Sequence, residues 1–303
     1  MSTEITTREG RAEVATLPPA FVEKYPALDV DVDIQELLAE TMGPGGDLNL
    51  GNLTRIKVPP AEFKSWMVPD DDGESVPAKT VTGVPVALIS RRSMWHSDVP
   101  SGSAPDCRSN DLEHGVGAFG EGSERNPTGL CTDCPMAVRG SANKGTQASK
   151  CKEQRVIFLL TGDLLPVMVV IPPGSLPNFK SFAAFLFKKA VRGVKRGDGS
   201  VSSAWLRLEV ELGLERDTNP AGQEYNKTTF KIARRLEPVE VERVSAYGQW
   251  VDGLIAAQED AIGEIIEGGD APPSVDVPFD AAGLPVDEVD LNGATAGGRA
   301  KGR

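Results

Sequence analysis

Residues 151–176 read CKEQRVIFLLTGDLLPVMVVIPPGSL, and the fold is decided by how this stretch is parsed. Arg155–Leu160 is a short, almost continuous apolar run rich in β-branched and aromatic residues, the pattern of a strand buried on both faces. Thr161-Gly162-Asp163 is a turn signal, and Leu165 to Ile171 returns as a second strand. Pro172-Pro173-Gly174 stops it, because proline cannot donate to a sheet ladder. Ser175 is placed as an N-cap. Leu176 to Val191 then repeats apolar residues at helical spacing: Phe179, Phe182, Ala183, Leu186 and Ala190. Lys180, Lys188, Lys189 and Arg192 lie largely off that stripe, so the phenylalanines read as core.

Downstream, Val194–Ser200 is a Gly-rich basic loop carrying Lys195 and Arg196. Trp205 to Leu214 alternates with period two and predicts a half-exposed strand. Asn219-Pro220 and Gly222 turn the chain, and Tyr225 to Leu236 predicts another strand. Pro238 opens a helix expected to reach about Glu267, with Val241, Val244, Val251, Leu254, Ile255, Ile262 and Ile265 near one face. Upstream, Val81 to Arg92 reads as a strand ended by Met94-Trp95-His96, and Leu53 to Val58 as a shorter one. Phe63 and Trp66 precede an acidic turn, Asp70-Asp71-Asp72-Gly73.

The expected organisation follows. Residues 1–50 form an acidic, largely disordered arm with one short helical pattern, Ile34 to Met42. Residues 51–236 form the main domain, 237–267 a C-terminal helix, and 268–303 a disordered acidic tail. The main domain orders its elements strand, insertion, strand, strand, helix, strand, strand. That is the order of an OB-fold, a small Greek-key barrel that binds oligonucleotides or oligosaccharides across one face. The fold class expected is therefore mainly β with helices (α+β): a five-stranded OB-fold-like barrel with an insertion and a C-terminal helix.

The insertion, residues 107–151, holds every cysteine of the chain: Cys107, the Cys131-Thr-Asp-Cys134 knuckle and Cys151. Its spacers are rich in Gly, Ser, Asn and Asp and lack the apolar content for a core of their own. Four thiolates around one Zn²⁺ would order such a loop, since structural zinc takes four tetrahedral Cys or His ligands and its binding energy becomes folding energy. His114 is a fifth candidate donor, and two disulfides or a redox pair at Cys131 and Cys134 are the rival readings. No secretory signal is read at the N-terminus, which disfavours disulfides and points to a cytoplasmic setting.

The chain carries a formal net charge of −12, but unevenly. Residues 139–236 hold 17 Lys/Arg against 8 Asp/Glu, whereas residues 1–138 hold 11 against 22 and residues 237–303 hold 4 against 14. A basic middle between acidic ends suggests a polyanion site. No uninterrupted run of apolar residues is long enough for a membrane span. Enzyme signatures are thin: two His (His96 isolated, Glu113-His114 not a metalloprotease helix), no Walker loop, no Gly-x-Ser-x-Gly. Four Cys around zinc leave no open coordination position for catalysis.

Arg55-Ile-Lys-Val-Pro59, Cys107, Cys131-x-x-Cys-Pro135, Cys151-Lys-x-x-Arg155, and Leu165-Pro166 through Pro172-Pro173-Gly-Ser-Leu176 together resemble phage-type single-stranded-DNA-binding proteins with a zinc ribbon inserted into an OB-fold. The likeness is at the level of motifs and covers roughly residues 53–236. It implies a non-catalytic protein that coats single-stranded DNA in phage replication or recombination, in bacterial or phage-infected cytoplasm. It differs from the T4-type helix-destabilising protein, which has a His among its zinc ligands. In the tail, Asp276-Val-Pro278-Phe279 resembles the acidic tip by which bacterial single-strand binders recruit replication partners, although here it is internal.

Single-strand binding needs cations along the phosphates and aromatic faces for the bases. The cation candidates are Arg91, Arg92, Arg155, Lys195, Arg196, Arg207, Lys227, Lys231, Arg234 and Arg235. The stacking candidates are Trp95, Phe158, Trp205, Tyr225 and Phe230, with Trp205 and Tyr225 preferred because each opens an alternating strand. The rival expectation is a zinc-stabilised interaction module of a replication or recombination complex that does not touch DNA.

Overall fold

In a computed structural model, which describes residues 17–29, 34–42, 48–70, 74–95, 105–142, 148–193, 205, 207–219 and 222–258, the chain is mixed α+β and mostly sheet. Its helices are α1 (Pro19–Lys24), α2 (Ile34–Met42), α3 (Leu176–Gly193) and α4 (Pro238–Ala257). Its strands are β1 (Arg55–Lys57), β2 (Trp66–Pro69), β3 (Ser75–Ala78), β4 (Val81–Met94), β5 (Cys107–Ser109), β6 (Val116–Gly117), β7 (Lys152–Leu160), β8 (Val167–Ile171), β9 (Leu208–Thr218) and β10 (Glu224–Arg235). The acidic turn near Asp70 closes a separate β2–β3 hairpin.

β4 organises the sheet. Its first residues, Val81–Gly83, pair with β9; from Val84 onward it pairs with β7; its last three residues also take β5 on the other edge. The hand-over from β9 to β7 needs a glycine: a Cβ on Gly83 would meet the Leu159 side chain at 2.8 Å. Pro85 lacks an N–H, and the register shifts between Pro85 and Ala87, bending the strand.

The five expected strands and the helix between the third and fourth are all present, but they do not close a barrel. The pairings β4–β7, β7–β8, β4–β9 and β9–β10 form. The outer edge of β8 is instead taken by β1, in parallel, with Ile56 opposite Val169. The edge of β10 is met by side chains. The Ser175 hydroxyl, expected to cap α3, accepts the Thr228 amide at 2.9 Å, and Asn178 donates to the Thr228 carbonyl at 3.0 Å. Asn226 donates to the Pro60 and Phe63 carbonyls.

Both faces of the sheet are covered. Ile157 and Leu159 of β7 face α3, joining Phe179, Phe182, Leu186 and Trp205. Val156, Phe158 and Leu160 face the other way, against α4 (Val244, Tyr247, Val251) and the N-terminal segment (Phe21, Tyr25, Leu28, Leu50). This explains why Arg155–Leu160 is buried without alternation. Each such fully buried side chain contributes roughly 1.5–3 kcal/mol.

The boundary drawn at residue 50 is therefore not a packing boundary. Residues 19–28 are part of the core, pinned by Glu209, which accepts from Lys24 and from Arg234 (3.2 Å). α4 is tied down at its far end by Gln258, which accepts from the Leu50 amide and donates to the Leu48 carbonyl, both at 2.8 Å. No described helix is long and apolar enough to cross a membrane. The whole of the expected tail, residues 268–303, and the extension of α4 to Glu267 lie outside the described residues.

Candidate functional site

The cysteine loop is carried by the far end of β4. Cys107 sits opposite Met94, and Cys151 immediately precedes β7, whose Lys152 pairs with Ser93. The knuckle is brought in by backbone bonds: the Cys131 amide donates to the Glu113 carbonyl at 2.7 Å, and the Cys151 amide to the Met136 carbonyl at 2.8 Å. Gly129, with φ +69°, makes the turn before the knuckle; a Cβ there would crowd the Glu121 backbone at 2.7–2.8 Å. Buried Asn126 spans the loop, donating to the Phe119 and Leu130 carbonyls at 2.9 and 3.2 Å.

The loop also has a small core, which its composition did not suggest. Met94, Cys107, Phe119 and Cys134 are buried together, with Met136, Ala137 and Cys151 packed against them. All four cysteines are free thiols, so neither disulfide forms. Cys107, Cys131 and Cys134 are buried and Cys151 half-buried.

The thiols feel one another. Burial chiefly raises Cys107, Cys131 and Cys151, with smaller like-charge contributions from neighbouring cysteines; Cys151 is pushed up to about 12. Arg92 works in the opposite direction on Cys131 and Cys151. Among the described residues no three His, Cys, Asp or Glu side chains are already drawn into a metal cage. As a donor set, four free and mostly buried thiols gathered in one loop suit zinc or another thiophilic ion. His114 faces elsewhere: its Nδ1 is 2.8 Å from Asp111 and its side chain is 62% exposed. Asp111 also accepts from the Ser109 hydroxyl and from the amides of Glu113 and His114, which holds its carboxyl well below the usual range despite some desolvation.

The nucleic-acid candidates divide into three groups. The first lies on or beside the β9–β10 hairpin, where Lys227, Lys231 and Arg234 each meet an acid. Lys227 is 2.9 Å from Asp217, Lys231 is 3.3 Å from Glu211, and Arg234 reaches both Glu209 (3.2 Å) and Glu240 (2.9 Å). Tyr225 donates to Asp217 at 2.9 Å. Arg235 is exposed and Arg207 half-buried.

The second group shares the thiol face of the sheet. Arg92 and Arg155 stand with Lys180 around one carboxylate, Glu153, at 3.6, 2.9 and 3.1 Å. Arg155 also lies over the Phe179 ring, 5.8 Å from its centroid.

The third group is on the opposite face. In an antiparallel sheet, residues directly opposite share a side. Ser93 is opposite both Lys152 and Arg108, so these two cations flank it in one row, and alternation adds Arg91 and Trp95 of β4 to that side. Arg91 is wholly buried at the edge of the α4-side core, while Arg108, Lys152 and Trp95 are half-buried. Arg108 has no ion pair among the described residues, and Lys152 donates to the Ser149 carbonyl. Asp106 is the acid at the margin of the row. Sequence reasoning missed Arg108 and Lys152. The signal was there: each directly follows a cysteine, and a strand sends adjacent side chains to opposite faces.

Of the aromatics, Trp205 is buried, stacked on Phe179 at 5.5 Å with Phe182 edge-on at 5.3 Å, so its ring faces are occupied. Phe158 is fully buried, and Phe230 packs on Phe182 at 5.6 Å. Lys195, Arg196, His96 and the Asp276-Val-Pro278-Phe279 segment lie outside the described residues. No protein-family model matches this chain, and neither a curated protein nor a solved structure matches it.

Proposed function

We propose that this chain is a non-catalytic single-stranded-DNA-binding protein whose cysteine loop is held by structural Zn²⁺ at Cys107, Cys131, Cys134 and Cys151. The observation that carries it is the row Lys152–Ser93–Arg108, with Arg91 and Trp95 on the same side. Cations with one reachable ring in an otherwise acid-poor row suit a phosphate backbone and a stacked base. The open sheet retains the strand pairings of an OB-type fold without its closing pair, which agrees with the motif resemblance at that coarser level. Trp205 and Phe158 have no part in the contact. Lys195 and Arg196 remain candidates from the segment that follows α3 in sequence, and Asp276, Pro278 and Phe279 remain the candidate contact for replication or recombination proteins.

The test is titration of the full chain with oligo-dT, followed by quenching of its four Trp and by gel shift. With the two phosphate contacts of Arg108 and Lys152, log affinity against log salt should fall with a slope of about −1.4. No shift at low salt, or affinity flat in salt, removes this reading. One observation favours the alternative, a zinc-stabilised interaction module without DNA affinity: three candidate cations of the β9–β10 hairpin, Lys227, Lys231 and Arg234, are matched by acids. A protein that loads zinc but ignores oligo-dT belongs to that alternative.

A further inference from the structure

Arg92 was expected on DNA, but its surroundings are those of the thiols. It lies on the same side of β4 as Met94, against which Cys107 and Cys134 pack. Its register partners are Ser109 on β5 and Glu153 on β7, two residues beyond Cys107 and Cys151 respectively. The carboxylate it pairs with among the described residues, Glu153, is better held by others: Arg155 at 2.9 Å and Lys180 at 3.1 Å, against 3.6 Å for Arg92. Its Nε is buried and meets no acceptor among the described residues. A buried N–H without an acceptor is costly, and its persistence calls for one.

Four thiolates around a divalent cation carry a net charge of about −2. Placing that charge in a mostly buried loop is unfavourable unless a cation stands beside it. A guanidinium stays protonated in any folded protein and presents several donors in a fixed plane.

We propose that Arg92 is the charge partner of the thiol centre, its Nε–H and guanidinium serving the metal-bound thiolates of the cysteine loop rather than a phosphate. This rests on reading the four cysteines as a zinc site. Arg92 is then a positioning residue: it touches the ligands, not the metal.

The experiment uses the full chain in three forms, wild type, R92K and R92Q, with K180A as a control that removes a cation from Glu153 but none from the thiols. Zinc affinity is measured by competition with a chromophoric chelator, and Co²⁺ is substituted to read the thiolate-to-metal charge-transfer bands. Loss of a partner of metal ligands lowers affinity by roughly 10–100-fold; R92Q should fall in that range, R92K less, and K180A within twofold of wild type. The cobalt bands should move in R92Q and R92K and stay in place in K180A. R92K retains the charge and is the variant to read if R92Q does not fold. Wild type without stoichiometric zinc overturns the metal reading and this proposal with it. Wild type with zinc, but with Arg92 variants matching it in affinity and band position, overturns the role of Arg92 alone.

Discussion

Two regions of this protein are rich in Lys and Arg, and they differ in what lies across the strand from each cation. On the β9–β10 hairpin, register puts Lys231 opposite Glu211 and Arg234 opposite Glu209. At the far end of β4, register puts Arg108 and Lys152 opposite a serine. The exposed Lys231–Glu211 pair satisfies itself locally and contributes little beyond that, whereas Glu209 is buried. Cations flanking a serine leave a local field for a polyanion. Counting charges along a segment cannot distinguish the two, since the distinction lies in pairing.

The largest expected effect separates the regions by stability. Cys134→Ser should abolish stoichiometric zinc and unfold the 107–151 loop, since structural zinc contributes on the order of 10 kcal/mol to such elements. Hydrogen exchange should then show lost protection at Cys131 and Cys151 but retained protection along the hairpin ladder. If the hairpin amides open equally, the two regions are one cooperative unit and the contrast fails.

Next comes the buried acid under the hairpin. Glu209→Gln should lower unfolding stability by about 3 kcal/mol in urea, because it removes the shared partner of Lys24 and Arg234. Glu209 is desolvated, which raises its pKa, but Lys24 and Arg234 outweigh that and hold its carboxyl below the usual value. Its folded pKa being depressed, the stability it contributes is present above the ordinary Glu value of about 4.3 and is lost as pH falls through the folded one. Urea midpoints of wild type and E209Q should therefore begin to converge below the ordinary Glu value of about 4.3 and meet once the pH is below the depressed folded value. A gap that persists there assigns the effect to packing.

A smaller effect tests binding. Arg108→Ala with Lys152→Ala should weaken oligo-dT binding roughly tenfold and flatten the salt slope by about 1.4, or 0.7 per single-strand contact. The smallest effect is the matching control. Lys231→Ala should change oligo-dT affinity less than twofold, because its charge is met by Glu211. If the hairpin change exceeds the double change, the assignment of the two surfaces is reversed.

The local elements were legible in the sequence. Periodicity located β4, β7, β8, α3, β9, β10 and α4, because each rests on its own alternation, helical stripe or stop signal. What escaped was the choice of partners. Nothing in Arg55–Lys57 says that it will lie parallel to β8 and take the edge a barrel would close. Trp205 looked accessible because a polar loop precedes it, yet the ring is filled in by Phe179 and Phe182 from a helix. Phe21, Tyr25 and Leu28 sit in an acidic segment whose composition hid three core residues. At the thiol loop, the four cysteines were legible as a donor set, but Ser109, Asp111 and the burial of Arg92 Nε depend on tertiary contacts no spacing encodes.

The dipeptides Cys107-Arg108 and Cys151-Lys152 each hand one side chain to either side of the sheet around the same stretch of β4. A single inserted or deleted residue in β4 between Ile89 and Arg92 would turn Met94 toward the basic side and Ser93 toward the sulfurs. Both surfaces would be spoiled by one change of a single residue. A change of length is therefore forbidden in this part of β4.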